Sequence, residues 1–112
     1  MREVVVTGMG IVSSLGNNIS EVKNSLKESI SGISENKTNK EMGLRSHVSG
    51  SIKNLDLKEL IDRKLYRFMG EASAYAYLSA QEAIDNANLS QDELSNHRTG
   101  LIMGSGGASS ED

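Results

Sequence analysis

The stretch VVVTGMGIVSSLG, from Val4 to Gly16, decides the fold class. It opens with three consecutive valines and continues into a turn that is punctuated by glycine. A continuous β-branched run is typical of a strand buried on both faces, which belongs in the middle of a layered α/β structure. The sequence therefore predicts an α/β fold whose first strand covers Glu3–Thr7.

The glycines of this turn invite comparison with a dinucleotide-binding loop. That loop needs a strand, the spacing G-x-G-x-x-G and a helix whose N-terminus faces the pyrophosphate. Ser13 occupies the third glycine position, so a Cβ and a hydroxyl stand where helix and strand should touch. The acids about 20 residues further on, Glu28 and Glu35, fall in or just after a helical pattern. The pattern argues against bound NAD or FAD.

Composition limits the function classes. A chain of 112 residues fits one small domain, and its net charge of −3 gives no electrostatic support for bulk nucleic-acid binding. The chain contains no cysteine. Disulfides, thiolate metal sites and a cysteine nucleophile are therefore excluded within it.

The N-terminus lacks the pattern of a signal peptide, because Arg2 is followed by an acid and a short β-type run. No apolar run approaches the roughly 18 residues that a membrane span requires. We expect a cytoplasmic protein.

Three further segments of the first half have recognisable patterns. Apolar residues recur at helical spacing from Ile19 to Ile30, with a capping box of Asn18 and Glu21 before them and Gly32 as a stop. Ser34–Glu41 is wholly polar and predicts an exposed loop. His47–Ile52 alternates weakly and predicts a short, kinked or edge strand.

The second half is dominated by one helical signal, which predicts a helix over Asp62–Ala87. Its segment Ala72–Ala80 carries no charge, which is typical of a helix buried on more than one side. Ser90 and Glu93 form a capping box for a short helical turn. Thr99–Gly104 predicts a second buried strand. We consider two interpretations of this order: a compact small domain, or the opening portion of a larger fold.

Few residues are candidates for chemistry. His47 has no acid at ligand spacing, His97 lies in the polar turn SNHRT, and the serines of IVSS and GASS lie outside any G-x-S-x-G pattern. Gly104, Gly106 and Gly107 follow a strand without a Gly-Lys-Ser/Thr ending. Such glycines leave space to line a narrow channel or an anion site.

Positive charge is concentrated in Arg63, Lys64 and Arg67, which share one face at helical spacing. Because cations are slightly unfavourable near a helix N-terminus, stability alone does not explain them. They form either a surface for an acidic partner or a plain solvated face.

The segments VVVTGMGIVSSLGNN, RSHVSG, LIDRKLYRFMGEASAYAYLSAQEAI and GLIMGSGGAS, in this order, resemble the N-terminal part of the β-ketoacyl-acyl carrier protein synthases. The resemblance covers essentially the whole chain. It is closer to type I, because Gly107 directly follows Gly106 where type II typically has a bulky aliphatic residue. Ala108, where another glycine would be familiar, is a mild departure that could narrow the nearby pocket.

The resemblance implies the N-terminal part of a thiolase-like layered α-β-α fold, with residues 1–112 forming a partial domain. It implies an acyltransferase of fatty acid biosynthesis, with no cofactor and no metal, that acts as a homodimer. The family's catalytic cysteine, two histidines and lysine match no residue here. We therefore assign no catalytic residue in this chain and expect the chain alone to be inactive.

Two sites can be carried over from the family. Arg63, Lys64 and Arg67 match positions that meet the acidic acyl carrier protein, and Gly106 and Gly107 match the loop beside the acyl pocket. Two alternatives to the enzyme interpretation stay open. The chain could be a non-catalytic carrier-protein docking fragment, or a scaffold whose strand edges pair with another copy.

Overall fold

The computed structural model describes residues 1–107, and the predictions that fall on Ala108 and on the serines of GASS lie outside them. Two compact units make up the described chain. The hairpin unit is Ile11–Asp56. The long-helix unit comprises Met1–Gly10 together with the described residues from Leu57 onward.

The hairpin unit contains four elements: helix α1 (Ile19–Lys27), strand β1 (Ile33–Glu35), helix α2 (Lys37–Glu41) and strand β2 (Val48–Gly50). The strands pair antiparallel, with Ser34 opposite Ser49. β2 confirms the short strand that was predicted within 47–52.

The start of α1 is confirmed and its predicted end is wrong. The Asn18 side chain accepts a hydrogen bond from the Glu21 amide at 2.9 Å, whereas the Glu21 carboxylate accepts from the Asn17 amide at 2.7 Å. The helix ends before Gly32 because Ser29 adopts a left-handed φ of 55°, which reverses the chain. Gly32 instead lies directly against Ser14, where an added Cβ would overlap the hydroxyl.

The loop predicted at 34–41 is also wrong, because these polar residues form β1 and α2. The Asn36 side chain accepts from the Asn39 amide at 3.0 Å and so caps α2. The Asn36 amide donates to the His47 carbonyl at 2.6 Å. Backbone hydrogen bonds between separate segments of the chain keep these residues in regular structure, and residue composition does not reveal such bonds.

The long-helix unit contains helices α3 (Leu57–Leu60), α4 (Arg63–Tyr66), α5 (Glu71–Ala87) and α6 (Gln91–Leu94). The single helix predicted over 62–87 is therefore wrong in its first part. Gly70 is the N-cap of α5 with an extended ψ of 170°, which separates α4 from α5. Ala74 of α5 is fully buried, and the capping box of α6 is confirmed at Ser90 and Glu93.

The strands predicted over 3–7 and 99–104 are not hydrogen-bonded strands in the described chain. Val4, Val5 and Val6 are 91%, 76% and 81% exposed, and Ile102 is 97% exposed. A strand needs a neighbour to satisfy its backbone groups, and among the described residues neither segment has one. The predicted fold class holds at its coarser level, as a mixed helix and strand structure with little sheet.

Both of these segments are nevertheless arranged along α5. Gly8 lies against Ala83 and Ala87, and Gly10 lies against Ser79, so this segment runs opposite to the helix. The Met9 amide donates to the Asn86 side chain at 3.2 Å. A Cβ on Gly10 would overlap the Ser79 carbonyl oxygen. These glycines permit close approach and do not adopt a left-handed conformation.

No helix in residues 1–107 combines the length and apolar character needed to cross a bilayer.

We predict that Gly10→Ala destabilises the long-helix unit, because its methyl group would enter the space of the Ser79 carbonyl. Overpacking of this kind costs about 1–3 kcal/mol. Chemical denaturation measures the loss, and hydrogen exchange at the Met9 amide reports detachment of the segment. Gly100→Ala is the control, since a Cβ there meets no described atom within 4 Å. Equal stability of the two variants would contradict the packing role.

We also predict that the N-terminal cap of α6 weakens at low pH. The Ser90 backbone and side-chain hydrogen bonds lower the pKa of Glu93 below its ordinary value. Because the folded pKa is lowered, the stabilisation is complete above the unfolded value of about 4.3 and disappears as the pH falls through the folded value. The Ser90 amide shift followed by NMR measures this transition, and Glu93→Ala should abolish it. A Ser90 amide chemical shift that does not change with pH would refute the assignment.

Candidate functional site

A groove of about 380 Å³ lies at the corner between α3 and α4 and is lined by Lys58, Arg63, Tyr66 and Arg67. We call it the basic groove. Its shape follows from the short helices that surround it. The Asp62 side chain accepts from the Lys64 amide at 2.8 Å and caps α4, which holds Arg63 and Arg67 one helical turn apart.

The structure brings together two of the three predicted cations. Arg63 and Arg67 both line the basic groove, whereas Lys64 is on α4 but is not among the lining residues. The sequence analysis missed Lys58 and Tyr66. Tyr66 lies three residues after Arg63, so helical spacing could have found it. Lys58 belongs to a separate helix, and only the turn between α3 and α4 brings it close.

The charges of Arg63 and Arg67 are available to a partner. Neither guanidinium forms an ion pair within residues 1–107. The Arg67 guanidinium lies over the Phe68 ring, 4.6 Å from its centroid. That contact orients the guanidinium without neutralising its charge.

A second site lies along α5, and we call it the α5 groove. It consists of two cavities of about 470 and 330 Å³ that share Ser73, Ala76 and Met103. The first extends along Met103–Gly107 to Gly70, and the second extends past Leu101 towards Ala80. Small and apolar side chains dominate the walls, as in pockets that bind apolar ligands.

The two glycines predicted for a pocket loop have different positions. Gly107 lines the α5 groove, whereas Gly106 is not among the lining residues. The Ser105 hydroxyl donates to the Gly107 carbonyl at 2.7 Å, which bends the loop. A Cβ at either glycine would meet no atom of residues 1–107 within 4 Å. Packing within the described chain therefore gives no reason for glycine at these two positions.

His47 and Ser13, two further candidates for chemistry, take part in hydrogen bonds that hold the local fold. His47 contributes its backbone carbonyl to the hydrogen bond with Asn36. Ser13 of IVSS pairs with Gly16 in a tight turn, and its hydroxyl accepts from the Leu15 amide at 3.1 Å. Within residues 1–107, no three His, Cys, Asp or Glu side chains converge as a metal site would require.

The pKa of Tyr75, in α5, is raised above its ordinary value. Burial is the main cause, followed by the nearby Glu71 and Tyr66. A raised pKa keeps the hydroxyl protonated at neutral pH, so Tyr75 is a weak candidate for a general base.

Comparison with known proteins identifies the family. The model of the β-ketoacyl synthase N-terminal domain matches residues 1–112. The chain is 57% identical over 106 residues to 3-oxoacyl-[acyl-carrier-protein] synthase 1 of Haemophilus influenzae, covering 95% of this chain and 26% of that protein. Against the synthase 1 of Escherichia coli the identity is 54% over 110 residues, covering 97% and 27%.

A type 2 relative is more distant. The identity to 3-oxoacyl-[acyl-carrier-protein] synthase 2 of Staphylococcus aureus is 31% over 105 residues, which covers 94% of this chain and 25% of that protein. The chain thus spans about a quarter of the length of the curated relatives it matches. It belongs to the β-ketoacyl synthase family and matches that family's N-terminal domain.

Proposed function

We propose that this chain contributes the N-terminal portion of a type I β-ketoacyl-acyl carrier protein synthase. The enzyme would be an acyltransferase that elongates acyl chains in fatty acid biosynthesis by decarboxylative condensation with a malonyl carrier protein. The observation that carries the proposal is the identity of 54–57% to synthase 1 relatives over nearly the whole chain, against 31% for a synthase 2.

The thiolase-like layered fold is part of this proposal. Its support is the arrangement along α5 in the long-helix unit, where residue numbers in both flanking segments rise towards the N-terminal end of the helix. Two segments that both run opposite to one helix run parallel to each other. If both segments paired into a sheet, they would be the parallel strands of a β-α-β unit, which is the unit of layered α/β folds.

The chain supplies surfaces and not the catalytic nucleophile in this proposal. It contains no cysteine, so the thiol of a condensing enzyme has to come from residues outside it. We therefore expect no condensation by the chain alone. The proposed homodimer and the cytoplasmic location rest on the family resemblance.

The basic groove is proposed as the docking surface for acyl carrier protein. Arg63 and Arg67 line it without an ion pair to any described residue, and Lys64 adds charge beside them. Unpaired cations on a shared surface raise the association rate and the selectivity for an acidic partner.

Charge reversal tests this docking surface. The double variant Arg63→Glu with Arg67→Glu should weaken binding of acyl carrier protein about tenfold or more, since like charges then face the partner. The matched control is Lys23→Glu with Lys27→Glu, which reverses an exposed pair at the same spacing on α1. Calorimetric titration at two salt concentrations measures both affinity and screening. Equal affinities of the two double variants would refute docking at the basic groove.

The α5 groove is proposed to lie beside the acyl chain, with Gly106 and Gly107 as its small-residue loop. Two observations support this. Gly107 lines a cavity with small and apolar walls, and the loop glycines are not required by packing against described residues. Space kept free of side chains next to an apolar cavity can accept methylene groups.

Substitution of the loop tests this role. In a full-length synthase that carries this N-terminal sequence, Gly107→Val should lower kcat/KM for long acyl chains relative to short ones by about tenfold, because the loss of room for a methylene costs about 1–3 kcal/mol. The control is Gly100→Val, which also meets no described atom within 4 Å but does not line the groove. An unchanged chain-length profile would contradict the assignment.

A further inference from the structure

An exposed aromatic ring stands beside the basic groove. Phe68 is 79% exposed, although large aromatic side chains bury 150–250 Å² each when they are covered. It directly follows Arg67, which lines the groove, and Arg67 stacks on its ring at 4.6 Å. The aromatic ring and the unpaired cation therefore form one surface feature.

Further apolar area belongs to the same helical corner. Leu60, at the end of α3, is 55% exposed, and Leu65, within α4, is 47% exposed. Solvated faces of small helices normally carry polar residues at such positions. Interfaces combine a small apolar centre with a charged rim, and aromatic residues and arginine dominate their binding energy.

We propose that Phe68 is an apolar anchor for the acidic partner that docks at the basic groove. The inference rests on the proposed docking of acyl carrier protein and adds the way in which the surface holds it. Arg63 and Arg67 meet carboxylates at the rim, and the Phe68 ring enters an apolar pocket that those carboxylates surround. The partner is chosen by charge complementarity, because Arg63 and Arg67 lack ion pairs among the described residues.

The contact between Arg67 and Phe68 gives this arrangement a specific consequence. A guanidinium stacked on the ring is held at the edge of the apolar area, so less rotamer entropy is lost when the partner binds. Phe68 could therefore act by its own burial or only by orienting Arg67. Substitutions that separate ring size from π-stacking distinguish these roles.

Three substitutions at position 68 test the anchor, with purified acyl carrier protein as the titrant. Phe68→Ala removes both burial and stacking and should weaken binding about tenfold. Phe68→Leu keeps most of the apolar volume and should weaken it only about threefold. Phe68→Tyr keeps the ring, but its hydroxyl would enter an apolar pocket, so we expect weaker binding than for the unaltered chain.

Two controls accompany these variants. Val6→Ala shortens a side chain that is 81% exposed in the same unit, and it should leave the affinity unchanged. The salt dependence of binding should be the same for Phe68→Ala and the unaltered chain, since no charge is removed. Circular dichroism checks that each variant keeps its helices, and substitutions at exposed positions such as Phe68 usually change stability little.

The outcomes distinguish the role of Phe68 as an anchor from the proposed docking at the basic groove. If Phe68→Leu weakens binding as much as Phe68→Ala while Phe68→Tyr retains full affinity, the ring only orients Arg67 and the anchor is refuted. If no substitution at position 68 matters while reversal at Arg63 and Arg67 does, docking stands and the anchor is refuted. If the unaltered chain does not bind carrier protein, both fail.

Discussion

The close approach of the N-terminal segment to α5 is the constraint on which the long-helix unit depends. Gly8 and Gly10 lie against the backbone of α5 at Ser79 and Ala83, with no side chain between them. Small residues on both sides allow this distance, and the Met9–Asn86 hydrogen bond fixes the register. Because the segment occupies one face of α5, the residues from Leu101 to Gly107 lie along another, and the α5 groove forms between them and the helix.

That arrangement also explains the uncharged stretch of α5. Ala72–Ala80 has neighbours on more than one face, yet Ala74 is the fully buried side chain among the described residues of the helix. Val4–Val6 and Ile102 remain exposed on the segments that flank it. Apolar surface of this extent requires a cover. A longer protein of the β-ketoacyl synthase family would supply it within one chain, and self-association would supply it from a second copy.

The two candidate sites depend on different kinds of structure. The basic groove is formed by two short helices, of which α4 is capped by Asp62. The α5 groove is formed by a loop beside a long helix, where glycine has no side chain and alanine only a methyl group, which leaves the space open. Both grooves belong to the long-helix unit.

Local patterns succeeded wherever a few neighbouring residues decide the conformation. The caps at Asn18 and Ser90 were readable from the sequence, because each side chain bonds an amide three residues away. The break in the helix predicted over 62–87 was not readable, because Gly70 permits an extended conformation without requiring one. The hairpin of β1 and β2 was missed in part, since its order comes from pairing between distant residues.

The sequence by itself determined the family, the starts of α1 and α6 and the clustering of Arg63, Lys64 and Arg67. These properties reside in residue identity and short-range spacing. Only the tertiary structure decided that Gly8 and Gly10 serve close packing, that Lys58 joins Arg63 and Arg67, and that Gly107 faces a groove. It also decided that the two apolar segments predicted as strands, 3–7 and 99–104, form no ladder among the described residues. Propensity is a property of one segment, whereas a strand exists only when a second segment satisfies its hydrogen bonds.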